Sequence, residues 1–179
     1  MIKIAIVDDN LFLQKTVQEK LSFFEDIEIK SKSLNGKELL QKLEKNSNLD
    51  LILMDIEMPE MNGVEATAEV KKRYPHIKIL MLTVFDNDEK IFKSIKAGAD
   101  GYLLKEINPQ ELYNSIKETL SGGAAMTPSI ALKTLKLLRE PQVFETEEEK
   151  EKITLTAREI QVLEQLSKGL KYDAIAENL

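Results

Sequence analysis

Asp50–Gly63 reads DLILMDIEMPEMNG. Four apolar residues, Leu51 to Met54, run straight into Asp55. A short unbroken apolar run suits a strand covered on both faces, as in the middle of a parallel sheet. A carboxylate at the end of such a strand is costly to desolvate, so its placement there asks for a chemical reason.

Working outward, similar short apolar runs occur at Ile2–Val7, Ile27–Lys30, Ile77–Leu82 and Gly101–Leu104. Between them lie stretches with apolar positions every three or four residues, the helical spacing: Leu11–Leu21, Gly36–Leu43, Val64–Arg73, Glu89–Ala97 and Pro109–Leu120. Asn108, Pro109 and Glu111 suit the N-cap, first and third positions of the last of these helices. Strands alternating with helices predict an α/β domain over residues 1–121, a doubly wound, flavodoxin-like, five-stranded parallel sheet in the order 2-1-3-4-5.

The 179-residue chain is 42% hydrophobic, enough to bury a sizeable core. A formal charge of -6 supplies no basic footprint for nucleic acid over the whole chain. With 0 Cys, disulfides and cysteine-based metal sites are excluded. The start, MIKIAIVDDN, meets acidic residues at once and does not read as a signal peptide. No apolar run reaches the roughly 20 residues of a membrane helix. A soluble, cytoplasmic protein without membrane contact is expected.

In open parallel sheets, ligands bind beyond the carboxyl ends of the strands, where the strand order reverses. Asp8 and Asp9 follow the first strand and Asp55 follows the third, its neighbour in the expected order. Three converging carboxylates repel one another, and a hard divalent cation relieves that. The expectation is a Mg²⁺ pocket, with Mn²⁺ as the alternative ion. Thr83 and Lys105, at the ends of strands four and five, add a hydroxyl and an ammonium to the same rim. Such a set suits phosphoryl chemistry, with Asp55 as the central nucleophile. Each of these residues alone has an ordinary reading as a cap or a strand end, and only their placement together selects the functional one.

The motifs VDDN (7–10), MDIEMPEMNG (54–63), MLTVF (81–85) and AGADGYLLKE (97–106) resemble the receiver domain of two-component response regulators. The resemblance implies that Asp55 accepts phosphate from a histidine kinase. It implies that Asp9 ligates Mg²⁺ directly and Asp8 through water, and that the Glu57 backbone carbonyl completes the protein ligands with Asp55. By the same resemblance, Lys105 holds a phosphoryl oxygen, Thr83 follows the phosphoryl group inward, and Tyr102 is the aromatic partner of that movement. Pro59 and Gly63 shape the loop leading into the third helix. A receiver of this kind catalyses only its own phosphorylation and dephosphorylation and is not otherwise an enzyme. Two positions depart from the common pattern. Glu106 follows Lys105 where many receivers have Pro, and a cis bond there would cost about 3 kcal/mol. Lys-Glu fits the NarL/FixJ subgroup. Val84 is bulkier than the small residue usual after the threonine, which is expected to narrow access to the phosphate.

Past Gly122-Gly123, residues 122–152 read as a linker with one helix, Ser129–Arg139, whose apolar residues include Ile130, Leu135 and Leu138. Glu145–Lys152, ETEEEKEK, is a charge run. Residues 153–179 resemble the start of a LuxR-type helix-turn-helix through Leu155-Thr156, Arg158-Glu159, Val162-Leu163, Gly169 and Ile175-Ala176. Thr156 and Glu159 form a capping box, followed by the stripe Ile160, Leu163 and Leu166. The recognition helix of such a motif is expected beyond Leu179, so DNA binding is expected of a full-length parent and not of these residues alone. Phosphorylation is expected to favour a homodimer.

Three other readings compete with a phosphorylation-controlled transcription regulator. An aspartyl-phosphate hydrolase places a second Asp two residues after its nucleophile, where this chain has Glu57. An adaptor receiver would leave the Leu155–Leu179 segment without a role. A flavin site fails because three acids would repel the flavin phosphate.

Overall fold

The computed structural model describes residues 1–84 and 87–139. Five parallel strands form one sheet: β1 (Ile2–Val7), β2 (Ile27–Ser33), β3 (Leu51–Met54), β4 (Lys78–Thr83) and β5 (Gly101–Leu104). The order is β2-β1-β3-β4-β5, as expected from the sequence. Helices α1 (Leu11–Leu21), α2 (Gly36–Lys45), α3 (Gly63–Arg73), α4 (Asp88–Lys96) and α5 (Pro109–Leu120) alternate with the strands, and α6 (Pro128–Arg139) follows. Met1–Pro141 and Gln142–Leu179 are separate units, and the expected helix-turn-helix start and charge run lie outside the described residues.

The central strands carry the unbroken apolar runs because both faces are covered. On one face, Ile4, Ile6, Leu51, Leu53, Leu80, Leu82 and Leu103 pack with Val17 and Leu21 of α1 and Leu112 and Ile116 of α5. The alternate residues point the other way. There, Thr67 of α3 reaches the Met81 sulfur at 3.6 Å. β2 runs three residues further than expected, through Ser31–Ser33. It is an edge strand, only partly covered, so polar residues are tolerated in it and the apolar pattern understates its length. Ile77 is fully buried but precedes β4; its N–H bonds the Tyr74 carbonyl at 3.0 Å and closes the turn after α3.

Helices α1 to α5 each begin with an asparagine, at 10, 35, 62, 87 and 108, whose side-chain oxygen accepts from the first-turn backbone. This satisfies donors that the helix itself cannot use. In α3 the cap is reciprocal, with Glu65 bonding back to the Asn62 N–H. Every one of these caps sits at the carboxyl end of the sheet, around the site.

Helix α6 buries only part of its apolar surface. Ile130 and Leu137 are its buried residues, whereas Leu135 and Leu138 are exposed. The helix packs on α4, and its two buried residues lie two turns apart on one face.

Candidate functional site

Strands β1 and β3 pair from Ile4↔Leu51 to Val7↔Met54. The next residue in each chain segment is an aspartate, so Asp8 and Asp55 emerge side by side. The Asp55 N–H bonds the Val7 carbonyl at 2.9 Å, and the Asp8 N–H bonds Ser33 O at 3.0 Å. Both aspartates are buried, whereas Asp9 is exposed. One carboxylate oxygen from each of Asp8, Asp9 and Asp55 lies within 4.8 Å of the others.

Lys105 reaches into this cluster. Its ammonium is 2.6 Å from Asp8 Oδ2 and 3.0 Å from Asp55 Oδ2, and its side chain is nearly as buried as theirs. Its backbone N–H bonds the Thr83 carbonyl at 2.9 Å, which ties the end of β5 to the end of β4. The other Asp55 oxygen, Oδ1, is buried with no hydrogen-bond partner among the described residues. Burial pushes the Asp55 carboxyl above the ordinary aspartate value, and the charge and hydrogen bond of Lys105 with the Ile56 N–H only partly offset this. A desolvated carboxylate with one open oxygen, beside two further acids, is a donor set of hard oxygens. These residues fit Mg²⁺.

The loop after Asp55 is held against it. The Gly63 N–H bonds the Ile56 carbonyl at 2.8 Å. A Cβ on Gly63 would stand 1.8 Å from the Asp55 carbonyl oxygen, so no other residue lets α3 start this close to the site. Glu57 projects outward, and its carboxylate pairs with the Lys90 ammonium of α4. Lys105–Glu106 is a trans bond, and Val84 is exposed.

Thr83 and Tyr102 are both fully buried. The register Met81↔Tyr102 and Thr83↔Leu104 places Tyr102 on the sheet face that carries Thr83. The Tyr102 ring is already inside, so any movement of it is a repacking within the core. Its N–H bonds Ala125 O at 2.9 Å, and it bridges Met126, which joins the edge of β5 to the segment leading into α6.

Three supporting residues were missed from the sequence. Gln14 is buried, and its amide donates to Asp8 O at 2.7 Å and Ser33 O at 2.9 Å, fixing the end of β1. The Asn10 N–H donates to Asp8 Oδ1 at 3.0 Å. The Lys20 ammonium donates to the carbonyls of Lys105 at 3.0 Å and Ile107 at 2.7 Å, holding the loop that carries Lys105. A polar Gln14 on the apolar stripe of Val17 and Leu21, and Asn10 directly before the helical pattern of α1, are the signals available.

A family model for the response regulator receiver domain matches residues 4–117. The chain belongs to the response regulator family. It is 36% identical to the transcriptional regulatory protein LnrK of Bacillus subtilis (strain 168), over 100% of this chain and 83% of that protein. It is 34% identical to the transcriptional regulatory protein DegU of Brevibacillus brevis, over 99% of this chain and 80% of DegU. A crystal structure of a two-component response regulator of the LuxR family from Aurantimonas sp. SI85-9A1 superposes with a TM-score of 0.71 at 25% identity, covering 77% of this chain and 98% of that one. The response regulator described here is thus a receiver domain related to transcriptional regulators of the LuxR/NarL group. Among its described residues, no helix is long and apolar enough to cross a membrane.

Proposed function

We propose that Asp55 accepts a phosphoryl group from a phosphohistidine of a histidine kinase in the cytoplasm, and that the acyl phosphate switches a DNA-binding regulator. The observation that carries this reading is the open, buried Oδ1 of Asp55 beside an oxygen already paired to Lys105. In the transfer, an Asp55 oxygen attacks phosphorus, the phosphorus–nitrogen bond breaks, and the donor imidazole leaves with its electron pair. Asp8, Asp9, Asp55 and the Glu57 carbonyl would hold Mg²⁺, which when bound supplies positive charge against the phosphoryl oxygens. Lys105 exchanges part of its pairing with Asp8 and Asp55 for a phosphoryl oxygen as negative charge moves onto the group. Thr83 turns its hydroxyl toward that group, and Tyr102 repacks behind it. The chain's catalytic role ends with gaining and losing its own phosphoryl group.

The link to DNA rests on LnrK and DegU, both named transcriptional regulatory proteins, and on the LuxR-like pattern of residues 153–179. We assign base contacts to the recognition helix that follows such a start in a full-length parent, with phosphorylation favouring a homodimer. Intact mass after incubation with acetyl phosphate and Mg²⁺ tests the core of the proposal. One added phosphoryl group that is lost in Asp55→Asn is the expected result. A phosphoryl group mapped to another residue would overturn it.

A further inference from the structure

Two lysines pair with acids in and next to the acidic pocket, in different roles. Lys105 enters it from β5 and binds Asp8 and Asp55. Lys90, in the first turn of α4, binds the Glu57 carboxylate. Its backbone N–H is committed to the Asn87 cap at 2.8 Å, so its side chain reaches sideways from a fixed point. Glu57 is two residues from Asp55, in the loop whose carbonyl is assigned to the metal. Its carboxylate is thus two residues from Asp55 without belonging to the Asp8, Asp9 and Asp55 cluster. The pair ties that loop to the start of α4.

A dication in the pocket acts on both halves of this pair. It attracts the Glu57 carboxylate and repels the Lys90 ammonium. We propose that Lys90 is a positioning residue that holds the Glu57 carboxylate away from the acidic pocket, so that cation binding and the Glu57–Lys90 pair compete and filling the pocket releases the first turn of α4. This rests on the assignment of Asp8, Asp9 and Asp55 to a divalent cation. Because competition is reciprocal, whatever weakens the pair must tighten the cation. The device would carry occupancy of the pocket to α4 by a route independent of Thr83.

The test uses the whole chain with Mg²⁺ alone and no phosphoryl donor. Calorimetric titration of Lys90→Met should show Mg²⁺ bound about two- to fivefold tighter, the range expected for a half-exposed ion pair. Lys90→Arg keeps the pair and should retain the parent affinity. In a Glu57→Gln background, Lys90→Met should give a distinctly smaller gain, because no carboxylate is freed. Hydrogen exchange should show Mg²⁺ speeding the amides of Lys90 and Ile91 in the parent, while Lys90→Met exchanges fast from the start. An equal gain in both backgrounds would reduce the effect to net charge and sink the proposal, as would unchanged or weaker Mg²⁺ binding in Lys90→Met, or α4 amides indifferent to Mg²⁺. If the parent chain binds no Mg²⁺ that Asp9→Ala removes, the pocket assignment itself fails and the competition with it. Mg²⁺ binding that needs Asp9 but ignores Lys90 defeats the competition alone.

Discussion

The Lys105 ammonium lies 3.0 Å from one carboxylate oxygen of Asp55, while the second oxygen of that carboxylate is buried without a hydrogen-bond partner among the described residues. The receiver thus holds its proposed phosphoacceptor half-satisfied. Leaving such a group charged and dry costs stability, and the proposed phosphoryl transfer would give the open oxygen its use.

That cost is measurable. Burial raises the Asp55 carboxyl above its unfolded value, with Lys105 opposing. A raised carboxyl contributes stability below the ordinary aspartate range and loses it as pH rises through the raised value. At neutral pH without metal, Asp55→Asn should therefore raise stability by about 1 kcal/mol, a melting shift of a few degrees. The advantage should shrink below about pH 4, where the parent aspartate is neutral in both states. Saturating Mg²⁺ should reverse the order. A less stable Asp55→Asn at neutral pH in chelator would show that the Lys105 pair outweighs burial.

Gly63 sets the distance between α3 and the site. Its missing Cβ leaves room for the Asp55 carbonyl, 1.8 Å from where the carbon would stand. Gly63→Ala must push backbone against backbone, and about 3 kcal/mol of destabilisation is expected. Urea titration reads it. A loss under about 1 kcal/mol would mean that α3 can back away freely.

Lys20 acts on Lys105 through the backbone. Lys20→Met removes donors to the carbonyls of Lys105 and Ile107 and leaves the acidic residues untouched. Phosphorylation by acetyl phosphate should slow by about tenfold through misplacement of the Lys105 ammonium. Mg²⁺ affinity should stay at the parent value, since Lys20 touches none of the three aspartates. Loss of Mg²⁺ affinity in step with rate would point to general damage instead.

Asp100 anchors the sheet on the side away from the site. Burial alone would raise its carboxyl, but hydrogen bonds from Lys71, the Ile79 N–H and Lys78 outweigh that and hold it below the ordinary value. Both lysines are within 2.9 Å. A lowered carboxyl contributes stability above its unfolded value and loses it as pH falls through the folded one. Asp100→Asn should cost roughly 2 kcal/mol at neutral pH, because two half-buried ammonium groups lose their counter-charge. The deficit should fade on acidification below about pH 4. A deficit that persists at acid pH would assign the loss to hydrogen bonding rather than charge.

Much of the architecture was legible because it is written in local chemistry. LILM before Asp55 suited a strand covered on both sides, and the acids after β1 and β3 marked the carboxyl end of the sheet. Asn108 was readable as a cap. Asn10, Asn35, Asn62 and Asn87 carry the same signal, each preceding a helical pattern. The face of α6 was not legible. That helix is apolar most of the way round, so its sequence offers Leu132, Leu135 and Leu138 as readily as Ile130 and Leu137. Only the neighbouring α4 selects between them.

The sequence by itself determined which candidate residues stand at which strand ends. A hydrophobic run and the acid after it are neighbours in the chain, and their proximity costs nothing to infer. Tertiary structure decided the pairings. Lys105 could have faced solvent, and Glu57 and Lys90 could have been two unrelated surface charges. Register across β1, β3, β4 and β5 brings residues some fifty positions apart to within hydrogen-bond distance. An ion pair is specified to a few tenths of an ångström, which the periodicity of one strand cannot encode. It leaves Asp55 with one oxygen held and the other open, a state that exists only once the whole sheet has closed around it.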